Sequence, residues 1–134
     1  MPRKKKAANE TVLVVDDDPE IRESLTELLD QKGYSVLQAE NGRKALDVLK
    51  EVQRSPCMVV LDLAMPVLDG HEFLRHRAID PVLRHIPVVV VSANPEPMRP
   101  IDGIEAYLQK PLEPDRLLEI IRRACEQIVI TRSR

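Results

Sequence analysis

The sequence predicts an α/β fold, a doubly wound parallel sheet with helices on both faces. Three observations lead there. Strand-like and helix-like segments alternate five times along the chain. The strand-like runs are mostly apolar at consecutive positions, as in strands covered on both sides. The 134 residues suit one domain, with no repeat, linker or second core.

The first strand is TVLVV (11–15). DPEIRESLTELLDQKG then reads as a helix: Pro19 and Glu20 suit its first turn, Gly33 suits its end, and Ile21, Leu25, Leu28 and Leu29 form its apolar stripe. YSVLQA (34–39) alternates more and belongs nearer a sheet edge. NGRKALDVLKEV is the second helix, with Asn41 or Gly42 at its cap and Ala45, Leu46 and Leu49 inward. CMVVLDL (57–63) is the third strand, and HEFLRHRAI the third helix, placed by Phe73, Leu74 and Ile79. IPVVVVSA (86–93) and EAYLQ (105–109) are the fourth and fifth strands. PDRLLEIIRRACEQIV is the last helix, with Leu117, Ile120, Ile121, Ala124 and Ile128 inward. Between the last two strands a helix is due, but Pro95, Pro97 and Pro100 intervene. Interior prolines cost about 3 kcal/mol each in a helix, so a loop or one irregular turn is expected there.

Net charge is −2, which offers no global field toward DNA or anionic membrane. The basic start, Arg3 and Lys4 to Lys6, reads as a disordered arm over residues 1–9. Aromatics are limited to Tyr34, Phe73 and Tyr107, which argues against base-stacking modules and direct nucleic-acid binding. No apolar stretch approaches a membrane span and no signal-peptide core is present, so a cytoplasmic location is expected. Cys57 and Cys125 lack metal-ligand spacing and read as reduced packing residues.

In open α/β sheets ligands bind beyond the carboxyl ends of the strands. The first strand is followed by Asp16, Asp17 and Asp18; the third ends at Asp62, the fourth at Ser92, and Lys110 follows the fifth. The acids suit Mg2+, a hard cation that takes carboxylates, water and phosphate oxygens. Lys110 offers a point charge and Ser92 a hydroxyl donor for a phosphoryl group. Asp62 then suits a nucleophile that forms an aspartyl phosphate. No glycine-rich nucleotide loop is present. Asp69 and Gly70 read as a turn and cap for the third helix, Met65-Pro66 as a shaped loop, and His71, His76 and His85 as surface or helix-end residues.

VLVVDDDPEIR, LDLAMPVLDG, VVVVSAN and YLQKP, in that order, resemble the signature segments of response-regulator receiver domains across roughly residues 10 to 130. The resemblance implies a flavodoxin-like five-stranded sheet in order 2-1-3-4-5, with residues 131–134 as a tail. It implies Asp62 as phosphoacceptor, and Mg2+ held by Asp16, Asp17, Asp62 and the Ala64 backbone carbonyl; Asp18 receives no direct ligand role. Ser92 matches the switch hydroxyl, Tyr107 the switch aromatic and Lys110 the phosphate partner, whose bond to Pro111 is often cis in the family. For Tyr107, ordinary half-buried packing stays open beside the switch role.

The implied function is a phosphorylation-controlled binding module, not an enzyme beyond slow self-dephosphorylation. Its donor would be a sensor histidine kinase or phosphotransfer protein, its output an unnamed protein partner, and its state a monomer or weak dimer. The irregular or missing fourth helix puts the family's usual dimer face in doubt. Two alternatives remain: a Mg2+-dependent phosphatase of haloacid-dehalogenase type built on Asp16 and Asp18, and a degenerate docking receiver. Whether the chain stands alone or is a fragment is left open.

Overall fold

The structure, a computed structural model, describes residues 10–63, 65, 68–93 and 104–132, with side chains to 126 in the last helix. The strands are β1 (Thr11–Val15), β2 (Ser35–Ala39), β3 (Met58–Asp62), β4 (Val88–Ser92) and β5 (Ile104–Gln109). The helices are α1 (Pro19–Gln31), α2 (Gly42–Glu51), α3 (Gly70–Ile79) and α4 (Pro114–Arg132), with a 3-10 turn at Leu83–His85. The strands form one parallel sheet in order β2-β1-β3-β4-β5. The order reverses between β1 and β3, where β1 turns one way to β2 and the chain later returns to β3 on its other side. The 94–103 segment, expected as a loop, lies outside the described residues, as do the 1–9 arm and Ala64.

The pleat divides each central strand between two cores. Leu13, Val15, Val59, Leu61, Val88 and Val90 meet Ala45, Leu46 and Leu49 of α2 and Phe73 and Leu74 of α3. Val12, Val14, Met58, Val60, Val89 and Val91 meet Leu25 and Leu29 of α1 and Leu117, Ile121 and Ala124 of α4. Every residue of β3 is buried. β2 and β5, the edge strands, are only partly buried.

Local chemistry starts the first three helices, at the predicted caps for the second and third and with Pro19 and Glu20 in the first turn of the first. Asp18, Asn41 and Asp69 are their N-caps, each accepting main-chain N–H groups of the first turn. At the end of α1, Gly33 takes φ +94°, a conformation that costs glycine little.

Two expectations are corrected. Ile79 does not face the core; it is 83% exposed, and Arg77 is buried instead. Phe73, Leu74 and Arg77 share the inner side of α3, whereas Ile79 falls two residues beyond it. The Arg77 guanidinium is held by the carbonyls of Ile86, at 2.7 and 3.1 Å, and Arg84, at 3.0 Å. It thereby ties α3 to the turn before β4, and burial pulls its pKa below the ordinary arginine value. Secondly, Cys57 and Cys125 are buried, as packing residues should be, but they form a disulfide, with Cα atoms 5.0 Å apart. Their 68-residue separation carries no local signal; the packing of α4 on the start of β3 brings them together.

Candidate functional site

The site lies where β1 and β3 end, on either side of the point at which the strand order reverses. Its acidic part is a tight connection from β1 to α1. The Asp16 N–H donates to the Ala39 carbonyl at 3.1 Å, which continues the β1–β2 ladder by one residue. Asp16 Oδ1 accepts the Asp18 N–H at 2.9 Å. Asp18 points back to its own helix, accepting from Glu20 at 2.9 Å and Ile21 at 3.5 Å, and this is a cap role rather than a ligand role. Asp17 between them is exposed.

Asp62 ends β3 and pairs with Val91 of β4, so the sheet itself sets its position. It is 5% exposed and Asp16 is 4% exposed. Two buried carboxylates need a countercharge. Lys110 provides it: Nζ lies 3.4 Å from Asp16 Oδ2 and 3.5 Å from Asp62 Oδ2. Burial acts to lower the Lys110 pKa, but attraction to Asp16 and Asp62 and the hydrogen bonds to them outweigh it, and the pKa is raised. The Lys110 backbone is fixed too. Its N–H donates to the Ser92 carbonyl at 2.9 Å, and its bond to Pro111 is cis, as the resemblance implied.

One oxygen each from Asp16, Asp17 and Asp62 lies within 4.8 Å of the others. Three hard oxygen donors at that separation are within reach of one Mg2+, whose ligands stand about 2.1 Å away. Exposed Asp17 leaves the cluster open on one side, where water or a phosphoryl oxygen could complete the coordination. The donor set therefore fits the metal.

The chain from Asp62 to α3 is held at close quarters. The Gly70 N–H donates to the Leu63 carbonyl at 2.9 Å, and a Cβ at Gly70 would fall 2.6 Å from Leu63 Cα and 2.7 Å from the Asp62 carbonyl oxygen. The Gly42 N–H donates to the Leu68 carbonyl at 2.9 Å, so α2 braces the same loop. Leu68 takes φ +47° there, an uncommon conformation for a residue with a side chain.

The predicted residues thus divide. Asp16, Asp17, Asp62 and Lys110 come together. Ser92 is half-buried at the end of β4, its backbone joined to Lys110. Tyr107 stands apart: it lies inside β5 opposite Val90, 42% exposed. The Ala64 carbonyl falls outside the described residues. Sequence reasoning missed Arg22, whose Nη1 donates to the Asp16 main-chain carbonyl at 2.8 Å. Its position one turn beyond the Asp18 cap was the available signal. The brace of Gly42 on Leu68 had none, because it joins distant parts of the chain.

Beside the carboxylates is an apolar groove of about 800 Å³ between α1 and the 110–117 stretch. Ile21, Leu25, Leu28, Pro111 and Leu117 line it, and Lys110 belongs to both groove and cluster. Among the described residues no helix is long and apolar enough to cross a membrane.

Comparison with known proteins agrees with this geometry. The family model of the response regulator receiver domain matches residues 12–122. The polar-differentiation response regulator DivK of Brucella anthropi is 32% identical over 117 residues, 84% of this chain and 93% of DivK. The phosphate regulon transcriptional regulatory protein PhoB of Pseudomonas aeruginosa is 35% identical over 121 residues, 84% of this chain; there the chain spans about half of the relative's length, 52%. Among solved structures, the chemotaxis protein CheY4 of Vibrio cholerae superposes with a TM-score of 0.77 at 28% identity, covering 87% of this chain and 99% of that one. The response regulator TrrA of Thermotoga maritima, solved in complex with Mg2+–BeF, gives 0.74 at 28% identity, covering 86% and 98%. None of these relatives supports the phosphatase alternative. With the match running through both the sheet and its acidic edge, this chain belongs to the receiver domains of two-component response regulators.

Proposed function

We propose that Asp62 is the phosphoacceptor. One of its carboxylate oxygens attacks the phosphorus of a phosphohistidine on a sensor kinase or phosphotransfer protein. The new O–P bond forms as the P–N bond breaks, and the imidazole leaves with the electron pair. The ionised carboxylate has no proton to lose, so no general base is needed. Lys110 turns from Asp62 to an oxygen of the incoming group, and the Ser92 hydroxyl donates to another. Asp16, Asp17, Asp62 and, by the family resemblance, the Ala64 carbonyl would hold Mg2+, which would supply positive charge to neutralise the phosphoryl oxygens. The TrrA complex with Mg2+–BeF supports this assignment by likeness.

The single observation that carries the reading is the Lys110 ammonium between two buried carboxylates, one just after β1 and one at the end of β3. Receiver domains are signalling phosphoacceptors rather than classical enzymes, and slow self-dephosphorylation would reset the state. Phosphorylation adds charge where Ser92 and Lys110 are joined, and movement of Ser92 with Tyr107 would alter a binding surface. The groove beside Lys110 suits the apolar face of a donor helix, since a partner seated there arrives at Asp62. The rest of the reading is a domain over 10–130 preceded by a basic arm, with α4 itself running on to Arg132. It is cytoplasmic, a monomer or weak dimer, and makes no direct nucleic-acid contact.

The test is incubation with acetyl phosphate and Mg2+, followed by intact mass. One phosphoryl adduct, absent from Asp62→Asn, is expected. An adduct that survives Asp62→Asn and vanishes in Asp16→Asn overturns the assignment in favour of the phosphatase. No adduct from acetyl phosphate or a cognate kinase identifies a degenerate docking module.

A further inference from the structure

We propose that Arg22 is a positioning residue of the cation site. Its guanidinium, anchored on Gln38 of β2, holds the Asp16 main-chain carbonyl and so fixes the turn that presents Asp16 and Asp17. The inference rests on the Mg2+ reading of that site and adds a residue to it.

Only Asp16, Asp17 and Asp18 join β1 to α1, so the placement of two ligands depends on one short turn. Asp16 is gripped at every polar atom. Its N–H goes to Ala39, Oδ1 takes the Asp18 N–H, Oδ2 faces Lys110, and its carbonyl takes Arg22 Nη1. Asp17, by contrast, is exposed, and the turn sets where its carboxylate stands.

Arg22 lies one helical turn into α1, and its N–H makes the first helical bond to the Asp18 carbonyl at 3.0 Å. Long helical side chains lean toward the helix N-terminus, which sends this one back over the turn. Two of its nitrogens are used in different directions: Nη1 reaches Asp16 O at 2.8 Å and Nε reaches Gln38 Oε1 at 3.2 Å. A rigid guanidinium can span both acceptors, whereas an ammonium is a single point. Both acceptors are neutral oxygens. The positive charge therefore sits near three carboxylates, and Arg22 makes its two hydrogen bonds without taking a carboxylate oxygen. Arg22 is only half-buried and Gln38 is exposed, so neither is needed to fill the core.

This role has a signature that simple charge does not. Removing a cationic side chain near a cation site strengthens Mg2+ binding if electrostatics alone is at work. Loss of positioning weakens it. Mg2+ alone is titrated calorimetrically into the wild type, Arg22→Gln, Arg22→Lys and Gln38→Leu, and thermal unfolding is measured without metal. The Mg2+ Kd is expected to rise roughly tenfold in Arg22→Gln, as for the loss of other groups that orient metal ligands. It should rise less in Arg22→Lys, which keeps the charge, and less in Gln38→Leu, which keeps the arginine. An unchanged or tighter Kd in Arg22→Gln overturns the proposal, as does a lower Tm with no change in Kd. If Arg22→Gln fails to fold, Gln38→Leu decides by the same criterion. A wild type that binds no Mg2+ overturns the cation site itself, and this inference with it.

Discussion

Lys110 shows how a single residue balances this site. Its ammonium faces Asp16 and Asp62, and its pKa is raised on folding. A lysine with a raised folded pKa adds stability that is fully present below its unfolded value of about 10.4 and fades as pH climbs through the folded value. The contribution is therefore intact at neutral pH and lost only under alkaline conditions. Lys110→Met leaves two buried carboxylates facing each other. Because the lysine side chain is 24% exposed, the loss falls below that of a fully buried pair, about 2 kcal/mol at pH 7. Urea unfolding without metal measures it, and added Mg2+ should recover part of it by replacing the countercharge. A variant as stable as the wild type without metal would mean that Lys110 is not what balances these acids. Asp16 and Asp62 were legible because each ends an apolar run at a strand end, and Lys110 because it follows the fifth strand at the same edge of the sheet. Arg77 was not legible: three hydrogen bonds to two backbone carbonyls can bury an arginine that periodicity alone sends outward, and those acceptors lie at Ile86 and Arg84, beyond its own helix.

At the scale of elements, α1 joins the site to a surface. Its N-terminal turn carries the Asp18 cap and Arg22, while Ile21, Leu25 and Leu28 line the groove that Lys110 shares. Leu28 is half-buried, so a change there alters the groove more than the core. Leu28→Glu is expected to slow phosphotransfer from a protein donor at least about tenfold, since a charge on an apolar contact costs a few kcal/mol. Labelling by acetyl phosphate should stay near the wild-type rate, because a small donor needs no groove. Equal slowing with both donors would place the effect in the site rather than in docking. The strands and helices themselves were legible from periodicity and caps: β1, β3 and β4 as continuous apolar runs, and three helix starts from Pro19 and Glu20, from Asn41 and from Asp69. Between Asp62 and α3 the Asp69 cap was legible, but the close contacts of the described residues were not. These are Gly70 against Leu63 and Gly42 against Leu68, and the second joins segments that nothing local relates.

At the scale of the molecule, the two cores converge on one working edge. α1 and α4 cover one face of the sheet and α2 and α3 the other, and the strands carry Asp62 and Ser92 out between them. The Cys57–Cys125 bond acts at the opposite end of β3, tying the start of that strand to the middle of α4. It closes a long loop, 68 residues in sequence separation. In the chain-entropy account a loop of that length restrains the unfolded state by about 4 kcal/mol. In a reducing cytoplasm the same pair would instead be two thiols in a packed core, consistent with their burial. Oxidised protein should therefore unfold at a higher temperature than protein held in reductant, by roughly 10 °C or more for a chain of this size. Cys57→Ser should behave like the reduced form and no longer respond to reductant. Because the bond lies far along β3 from Asp62, labelling by acetyl phosphate should be the same in both redox states below the melting range. Intact mass under non-reducing conditions fixes the redox state in each sample. A Tm that ignores reductant while the mass reports conversion to two thiols would show that packing of α4, not the covalent link, holds the helix to the sheet.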